Sequence, residues 1–90
     1  MQEDKSWVVY LLKCADQSIY TGITKDIKKR VVAHNRGLAS RYTRGRLPVK
    51  LLAASGRMPR AEALRLEINV KKLPKGKKIQ ALQKTISKRR

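Results

Sequence analysis

The sequence predicts an α+β fold whose elements follow the order β-β-α-β-α-α. Three observations predict it: two β-rich apolar segments around a short polar turn, an alternating segment after Pro48, and three stretches with helical apolar spacing. A chain of 90 residues is long enough for one compact domain with one small core. We therefore expect a single domain over residues 1–90, with short flexible ends at about 1–5 and 87–90.

The first two strands are predicted to pair as a hairpin. Residues 7–14 are almost wholly apolar and rich in β-forming types, and residues 19–23 resume that character after the polar turn at 15–18. Alternation places Trp7, Val9 and Leu11 on one face of the first strand and Val8, Tyr10 and Leu12 on the other. Tyr10 and Tyr20 should therefore lie on neighbouring strands.

The first helix is predicted to run from an N-cap at Thr24 to about Asn35. Its core stripe is formed by two aliphatic residues, Ile27 and Val31. Arg30 and His34, spaced i and i+4, flank that stripe on one side. Two polar side chains are thus expected together at the border of the core.

The third strand is predicted to follow an irregular segment. Residues 36–47 carry four arginines, two glycines and one tyrosine without a convincing period, and we interpret them as a loop. Pro48 then opens a strand that runs to Ala54. Its alternation predicts one face formed by Val49, Leu51 and Ala53.

Two further helices are predicted after Pro59. The first covers about 60–72, with Glu67 near its middle. Its broad apolar arc is formed by Ala63, Leu64, Leu66, Ile68 and Val70. After a break at 74–76, the last helix leads into the basic tail 88–90. Its apolar positions, at i, i+3 and i+7, are Ile79, Leu82 and Ile86.

The charge balance indicates a polyanionic partner. Twenty-three Lys and Arg residues oppose six Asp and Glu residues, which gives a formal net charge of +17. Such a chain repels itself unless polyanions are near, so nucleic acid is the expected partner. A highly soluble or membrane-surface protein is the alternative, but the basic residues are spread over the chain and not along one amphipathic helix.

Cysteine content and hydropathy indicate a cytoplasmic protein. Cys14 is the single cysteine, which excludes an internal disulfide and a thiolate-rich zinc site. No apolar run approaches the roughly 20 residues that span a bilayer, so we expect no membrane association. Residues 1–4 are acidic where a secretory signal would be basic.

Glu67 is the one acidic residue without an easy structural explanation. The other five fall at the start of the chain, in a turn or in first helical turns: Glu3, Asp4, Asp16, Asp26 and Glu62. A carboxylate facing a core is costly unless a cation or a metal ion pairs with it. An ion pair with Lys71 or Arg30 and a metal site are equally open from the sequence.

Four other polar residues, Tyr10, Tyr20, Arg30 and His34, each have a structural and a functional interpretation. An arginine can lay its stem on apolar surface, a lone histidine is usually a satisfied side chain, and a strand tyrosine usually packs. Composition alone favours those structural roles. In a functional site, the guanidinium would bind phosphate oxygens and a phenol near cations could act as a base.

The basic segment 40–46 mixes cations, one aromatic ring and a flexible glycine, which suits contact with phosphates and stacking on a base. A solvated charged loop is the alternative. The candidate nucleic-acid-binding residues are Arg41, Tyr42, Arg44 and Arg46, together with Lys28 of the first helix. The C-terminal basic residues are expected to add general electrostatic attraction.

Taken in order, these residues resemble the GIY-YIG nuclease superfamily, which includes the N-terminal domain of the repair incision subunit UvrC. Val8-Val9-Tyr10 is similar to the first motif and Tyr20-Thr21-Gly22 to the second. The helical positions that follow are matched by Arg30, His34-Asn35 and Glu67. The resemblance covers roughly 7–73 and is strongest to the small stand-alone bacterial single-domain members. Val8 and Thr21 replace the Gly and Ile of the family name, and both are good β-formers.

The resemblance implies a three-stranded antiparallel sheet flanked by helices, with the active site where the hairpin meets the first two helices. It further implies an endonuclease that hydrolyses DNA, in repair or recombination, with one Mg²⁺ or Mn²⁺ ion bound by Glu67. Tyr10 or Tyr20 would help to deprotonate the attacking water. Arg30 would hold the scissile phosphate, and His34 would relay a proton or orient the nucleophile.

Two alternatives to a DNA endonuclease stay open. The scaffold could serve as a non-catalytic or weakly catalytic nucleic-acid-binding module whose affinity rests on the basic loop and tail. A small ribosome- or RNA-associated protein would differ in preferring RNA, although we favour DNA. No DNA-recognition domain accompanies the region of resemblance, so we expect specificity to be weak or to be supplied by a protein partner.

Overall fold

The computed structural model describes residues 4–86 and confirms the predicted α+β class. Its antiparallel sheet, in the order β2-β1-β3, is formed by β1 (Val8–Lys13), β2 (Ile19–Thr24) and β3 (Lys50–Ala54). Its helices are α1 (Ile27–Asn35), α2 (Arg41–Arg44), α3 (Arg60–Lys71) and α4 (Lys75–Gln83). The basic tail at 88–90, and the predicted flexible positions 1–3 and 87–90, lie outside the described residues.

The central strand β1 separates two apolar clusters, as its alternation predicts. On one face, Val9 and Leu11 pack with residues of α3 and α4, namely Ala63, Val70 and Leu82. On the other face, Tyr10 and Leu12 pack with Cys14 and Val49 and with the partly buried stripe of α1, Ile27 and Val31. The hairpin register sets Tyr10 opposite Gly22 and Leu12 opposite Tyr20. The sheet therefore carries Tyr10 on the face covered by α1.

The N-cap of α1 is Asp26 and not the predicted Thr24. The Asp26 carboxylate accepts a hydrogen bond from the backbone N–H of Lys29 at 3.1 Å. The Thr24 hydroxyl accepts from the Asp26 backbone N–H at 3.1 Å. Thr24 thus ends β2 and stabilises the turn into the helix, and capping falls to the acid two residues later.

The predicted loop at 36–47 contains the one-turn helix α2, so the observed order has one more helix than predicted. Ser40 caps this turn, because its hydroxyl accepts from the backbone N–H of Tyr42 at 3.0 Å. Thr43 is fully buried within it. A single turn held by a cap and one buried residue has no apolar period, which explains why the pattern did not indicate it.

The predicted common face of Val49, Leu51 and Ala53 on β3 is wrong. The adjacent β1 residues Leu11 and Leu12 pair with Ala53 and Leu51, respectively. Leu52 is therefore an extra residue, in a β-bulge. Val49 consequently packs in the Tyr10 cluster and Ala53 against the opposite cluster. Leu51 is 45% exposed.

The apolar arcs of α3 and α4 are narrower than predicted. Ala63 and Val70 are fully buried, whereas Ile68 is 54% exposed on the solvent side of α3. Leu82 anchors α4, but Ile86 lies beyond the last residue of that helix and is 49% exposed. No helix within residues 4–86 is both long enough and apolar enough to cross a membrane.

Candidate active site

Three aromatic rings from β1, β2 and α1 meet beside the sheet. The ring centroids of Tyr10 and Tyr20 are 6.2 Å apart, and that of His34 lies 5.8 Å from Tyr10 and 5.1 Å from Tyr20. Tyr10 and His34 are 2% and 1% exposed, whereas Tyr20 is half-buried. The hairpin and α1 therefore bring together three of the five predicted catalytic side chains.

A chain of hydrogen bonds runs through the imidazole of His34. Its Nε2 lies 2.8 Å from the Tyr10 hydroxyl, and its Nδ1 lies 2.8 Å from the Thr43 hydroxyl. The Thr43 hydroxyl in turn donates to the carbonyl oxygen of Ser40 at 3.3 Å. Because a carbonyl only accepts, the Thr43 oxygen is left to accept from Nδ1–H, and Nε2 accepts the Tyr10 proton. The surroundings thus select one imidazole tautomer.

Burial keeps both ends of the Tyr10–His34 bond neutral. It lowers the pKa of His34 below its ordinary value, and the nearby Arg30 guanidinium lowers that pKa further. Burial also raises the pKa of the Tyr10 hydroxyl, with a further contribution from Tyr20. At neutral pH the pair therefore consists of a phenol that donates and an imidazole that accepts.

Gly22 leaves the space in which the two tyrosines meet. A Cβ atom at this position would lie 2.7 Å from the Tyr10 hydroxyl oxygen and 3.0 Å from the Tyr20 ring. Contacts that short are repulsive, so any larger residue would displace the rings. The packing of Tyr10 thus gives a physical reason for glycine in the Tyr20-Thr21-Gly22 motif.

Arg30 on α1 and Glu67 on α3 act on the aromatic cluster through their charges. Arg30 is half-buried, and its guanidinium forms no hydrogen bond or ion pair with another residue in 4–86. Its positive charge lowers the pKa of Tyr10 and of His34. The negative charge of Glu67 raises the pKa of Tyr10. Of the two ion pairs left open by the sequence, the one with Lys71 forms, at 3.4 Å. The Glu67 side chain is 17% exposed and that of Lys71 57% exposed.

The donor set suits a divalent ion that keeps most of its water. No group of three or more His, Cys, Asp or Glu residues in the described part of the chain could hold a metal ion. Mg²⁺ is commonly bound through one or two carboxylates together with water and substrate phosphate. The half-buried Glu67 carboxylate, whose cationic partner is an exposed lysine, fits that pattern as the single protein ligand.

The basic segment joins the site through Tyr42. The Tyr42 ring stacks on Tyr20 at 5.9 Å, and the Arg46 guanidinium lies 3.9 Å above the Tyr42 ring. Arg46 also pairs with Asp16 at 2.9 Å and donates to the Tyr42 carbonyl at 2.8 Å, so part of its bonding capacity is used within the fold. The remaining predicted nucleic-acid-binding residues are exposed: Lys28, Arg41 and Arg44.

Thr43 is the residue of this site that the sequence interpretation missed. It is fully buried and completes the hydrogen bonding of His34. One signal was available, because Ser40 is a good N-cap type, and Thr43 falls at the third helical position after it. Its contact with His34 depends on the packing of α2 against α1, which local sequence does not reveal.

The comparisons with known proteins define the class to which this fold and site belong. Residues 6–80 match the family model described as the GIY-YIG catalytic domain. The chain belongs to the GIY-YIG family, a nuclease family, as the sequence resemblance predicted.

Within that family, the chain is similar to UPF0213 proteins. It is 44% identical to one from Nitratidesulfovibrio vulgaris over 79 residues, which cover 88% of this chain and 72% of the relative. A second, from Xanthomonas axonopodis pv. citri, is 46% identical, with 88% of this chain and 78% of the relative covered.

Two solution NMR structures support the same fold. A UPF0213 protein from Bacillus halodurans shares 43% identity with a TM-score of 0.50, covering 82% of this chain and 79% of that one. A protein from E. faecalis shares 36% identity with a TM-score of 0.58, covering 91% and 88%. The three-stranded antiparallel sheet with flanking helices is thereby confirmed.

Proposed function

We propose that this protein is a divalent-metal-dependent endonuclease that hydrolyses phosphodiester bonds in DNA. The observation that carries the proposal is the buried hydrogen bond between Tyr10 and His34. The charges of Arg30 and Glu67 both influence the pKa of Tyr10. Membership of a nuclease family implies a nucleic acid as substrate. The net charge of +17 favours a polyanion as well.

We assign the role of general base to the Tyr10–His34 pair. As the attacking water loses a proton to the Tyr10 oxygen, the Tyr10 proton passes to Nε2 of His34, so no free phenolate accumulates. The lowered pKa of His34 keeps its imidazole neutral and able to accept that proton. Thr43 holds the ring in the required orientation through Nδ1.

The remaining candidates bind and stabilise the phosphate. The Arg30 guanidinium, which has no side-chain partner within residues 4–86, would bind two oxygens of the scissile phosphate. Tyr20, which is more exposed than Tyr10, would position the substrate next to the imidazole. A divalent ion held by Glu67, Mg²⁺ or Mn²⁺, would supply Lewis acidity at the leaving oxygen.

The proposal is tested with labelled single-stranded, duplex and branched DNA, incubated with Mg²⁺ or Mn²⁺ and with EDTA. We expect cleavage that requires the ion and falls at least about 100-fold in Tyr10→Phe, because removing a general base commonly costs that much. Glu62→Ala, an exposed position in the first turn of α3, is the control, and it should cut at the wild-type rate. Cleavage in EDTA, or an active Tyr10→Phe, would refute the assignment.

The Glu67–Lys71 ion pair favours one alternative, a nucleic-acid-binding module without catalysis. In that case Glu67 has a structural role, and the affinity comes from the exposed cations. The same assay distinguishes the two functions, because a pure binding module retards DNA without cutting it.

For the active enzyme, we propose a cytoplasmic role in DNA repair or recombination, on the basis of the resemblance to a repair incision subunit.

A further inference from the structure

A basic pocket lies where β2 runs into α1, beside the candidate active site. Its volume is about 300 Å³. It is lined by Trp7, Thr24, Lys25, Asp26, Lys29 and Arg30. Arg30 is the only one of these residues that also belongs to the candidate active site. The other five have no part in the proposed chemistry.

The lining combines an aromatic wall with cations. The Trp7 ring is half-buried, with the Arg60 guanidinium 5.3 Å and the Lys25 ammonium 5.9 Å from its centroid. Two acids of the described residues lie nearby and are already engaged: Asp26 caps α1, and Asp4 pairs with Lys25 at 2.9 Å. Aromatic rings edged by cations bind single-stranded nucleic acids, since bases stack on the ring and phosphates meet the charges.

A matching pocket of about 290 Å³ lies at the other end of β2. It is lined by Ile19, Tyr20, Thr21, Tyr42, Lys71 and Lys78. The edge strand β2 runs between the two pockets, and Tyr20 and Thr24, which line one pocket each, lie about 13 Å apart along it, given the rise per residue. Tyr20 lines one pocket and Arg30 the other, so the candidate active site lies between them.

We propose that an unpaired DNA strand binds along the β2 edge of the protein, with one of its bases against Trp7. On the Trp7 side of the scissile bond, Lys29 and Arg60 contact the phosphates. On the other side, the strand enters the pocket that Tyr20 and Tyr42 line. The position of the scissile bond rests on the proposed function. Binding itself requires neither cleavage nor a metal ion.

Trp7 makes this proposal directly measurable, because it is the only tryptophan in the chain. In EDTA, titration with a short single-stranded oligonucleotide should quench its fluorescence to saturation. A duplex of equal length should quench it less, since paired bases are not free to stack. Trp7→Leu should weaken binding roughly tenfold, as followed by the anisotropy of a labelled oligonucleotide.

Lys29→Ala provides a test that does not depend on the packing of Trp7. Lys29 is exposed, and its structural contact is made by the backbone N–H, which alanine retains. We expect a loss of affinity of about threefold or more and a shallower dependence on salt. Lys50→Ala, which removes the same charge from β3 on the opposite edge of the sheet, should have a smaller effect.

Unchanged Trp7 fluorescence at saturating oligonucleotide would overturn the proposal. Equal losses in Lys29→Ala and Lys50→Ala would overturn it too, because binding would then be general electrostatic attraction. Both results are obtained in EDTA and are independent of cleavage. A protein that binds in this way but cuts nothing would refute the proposed function and leave the strand-binding surface standing.

Discussion

His34 is the residue on which the geometry of the site depends most directly. Both of its ring nitrogens are used, one by Tyr10 and the other by Thr43, and the side chain is 1% exposed. Sequence alone could place His34 on the border of the core, one turn after Arg30. It could not choose between a satisfied core histidine and a proton acceptor, because the partners come from other elements. The structure shows an imidazole that is both buried and hydrogen bonded.

The lowered pKa of His34 predicts a stability that falls on acidification. The unfolded chain binds the proton first, so the contribution is present above the ordinary pKa of 6.5 and is lost as the pH falls toward the folded value. His34 is the single histidine in the chain. Urea denaturation of the wild type should therefore show a declining free energy of unfolding below that pH, and His34→Gln should show a flatter profile. A flat wild-type profile would contradict the neutral, buried imidazole.

Gly22→Ala tests the close packing of the two tyrosines. The added methyl group would meet the Tyr10 hydroxyl and the Tyr20 ring, so we expect a loss of about 1–3 kcal/mol in the free energy of unfolding. Gly76→Ala on α4 is the control, because nothing lies within 4 Å of its added Cβ. That change should be neutral or stabilising by up to about 1 kcal/mol. Similar values for the two variants, from denaturant titration, would argue against a steric requirement at Gly22.

The short helix α2 connects the basic segment to the centre of the site. It contributes Thr43 to the hydrogen bonds of His34 and Tyr42 to the stack on Tyr20. The sequence interpretation found the chemistry of this segment, its cations and its aromatic ring, but not its helical form. The elements with clear periodicity, β1, β2, α1 and α3, were predicted closely, because each buries a regular apolar face. The bulge at Leu52 is the opposite case, since one extra residue interrupts the alternation without any local signal.

Thr43→Val tests the coupling between α1 and α2. Valine keeps the shape but removes the acceptor of the His34 Nδ1–H group, which would then be buried without a partner. We expect a loss of about 1–3 kcal/mol in the free energy of unfolding. Thr21→Val is the matched control, because Thr21 is 4% exposed and its side chain forms no hydrogen bond within residues 4–86. If the two variants lose the same free energy of unfolding, the hydrogen bond from His34 to Thr43 makes no specific contribution to stability.

The molecule as a whole combines two small apolar clusters, one on each face of the sheet, with a strongly basic sequence. Five residues are candidates for contact with nucleic acid, and none of them is buried: Lys28, Arg41, Tyr42, Arg44 and Arg46. Charge and composition were sufficient to predict a polyanionic partner, and motif order was sufficient to predict the family. Glu67 was found by elimination among six acids. The effect of its charge on the pKa of Tyr10, and the pocket at Trp7, could not be predicted, because both depend on how α3 and α1 pack around β2.

Glu67 also offers the most direct measurement of the central claim, that this site hydrolyses DNA with the help of a divalent ion. Single-turnover cleavage by Glu67→Ala should be compared with wild type and with Glu62→Ala, an exposed position in the first turn of the same helix. All three proteins should be prepared in parallel, so that a contaminating nuclease would appear in each. We expect Glu67→Ala to stay folded and to bind DNA while losing at least about 100-fold in rate, and Glu62→Ala to match the wild type. A Glu67→Ala variant that cuts as fast as the wild type would contradict the claim.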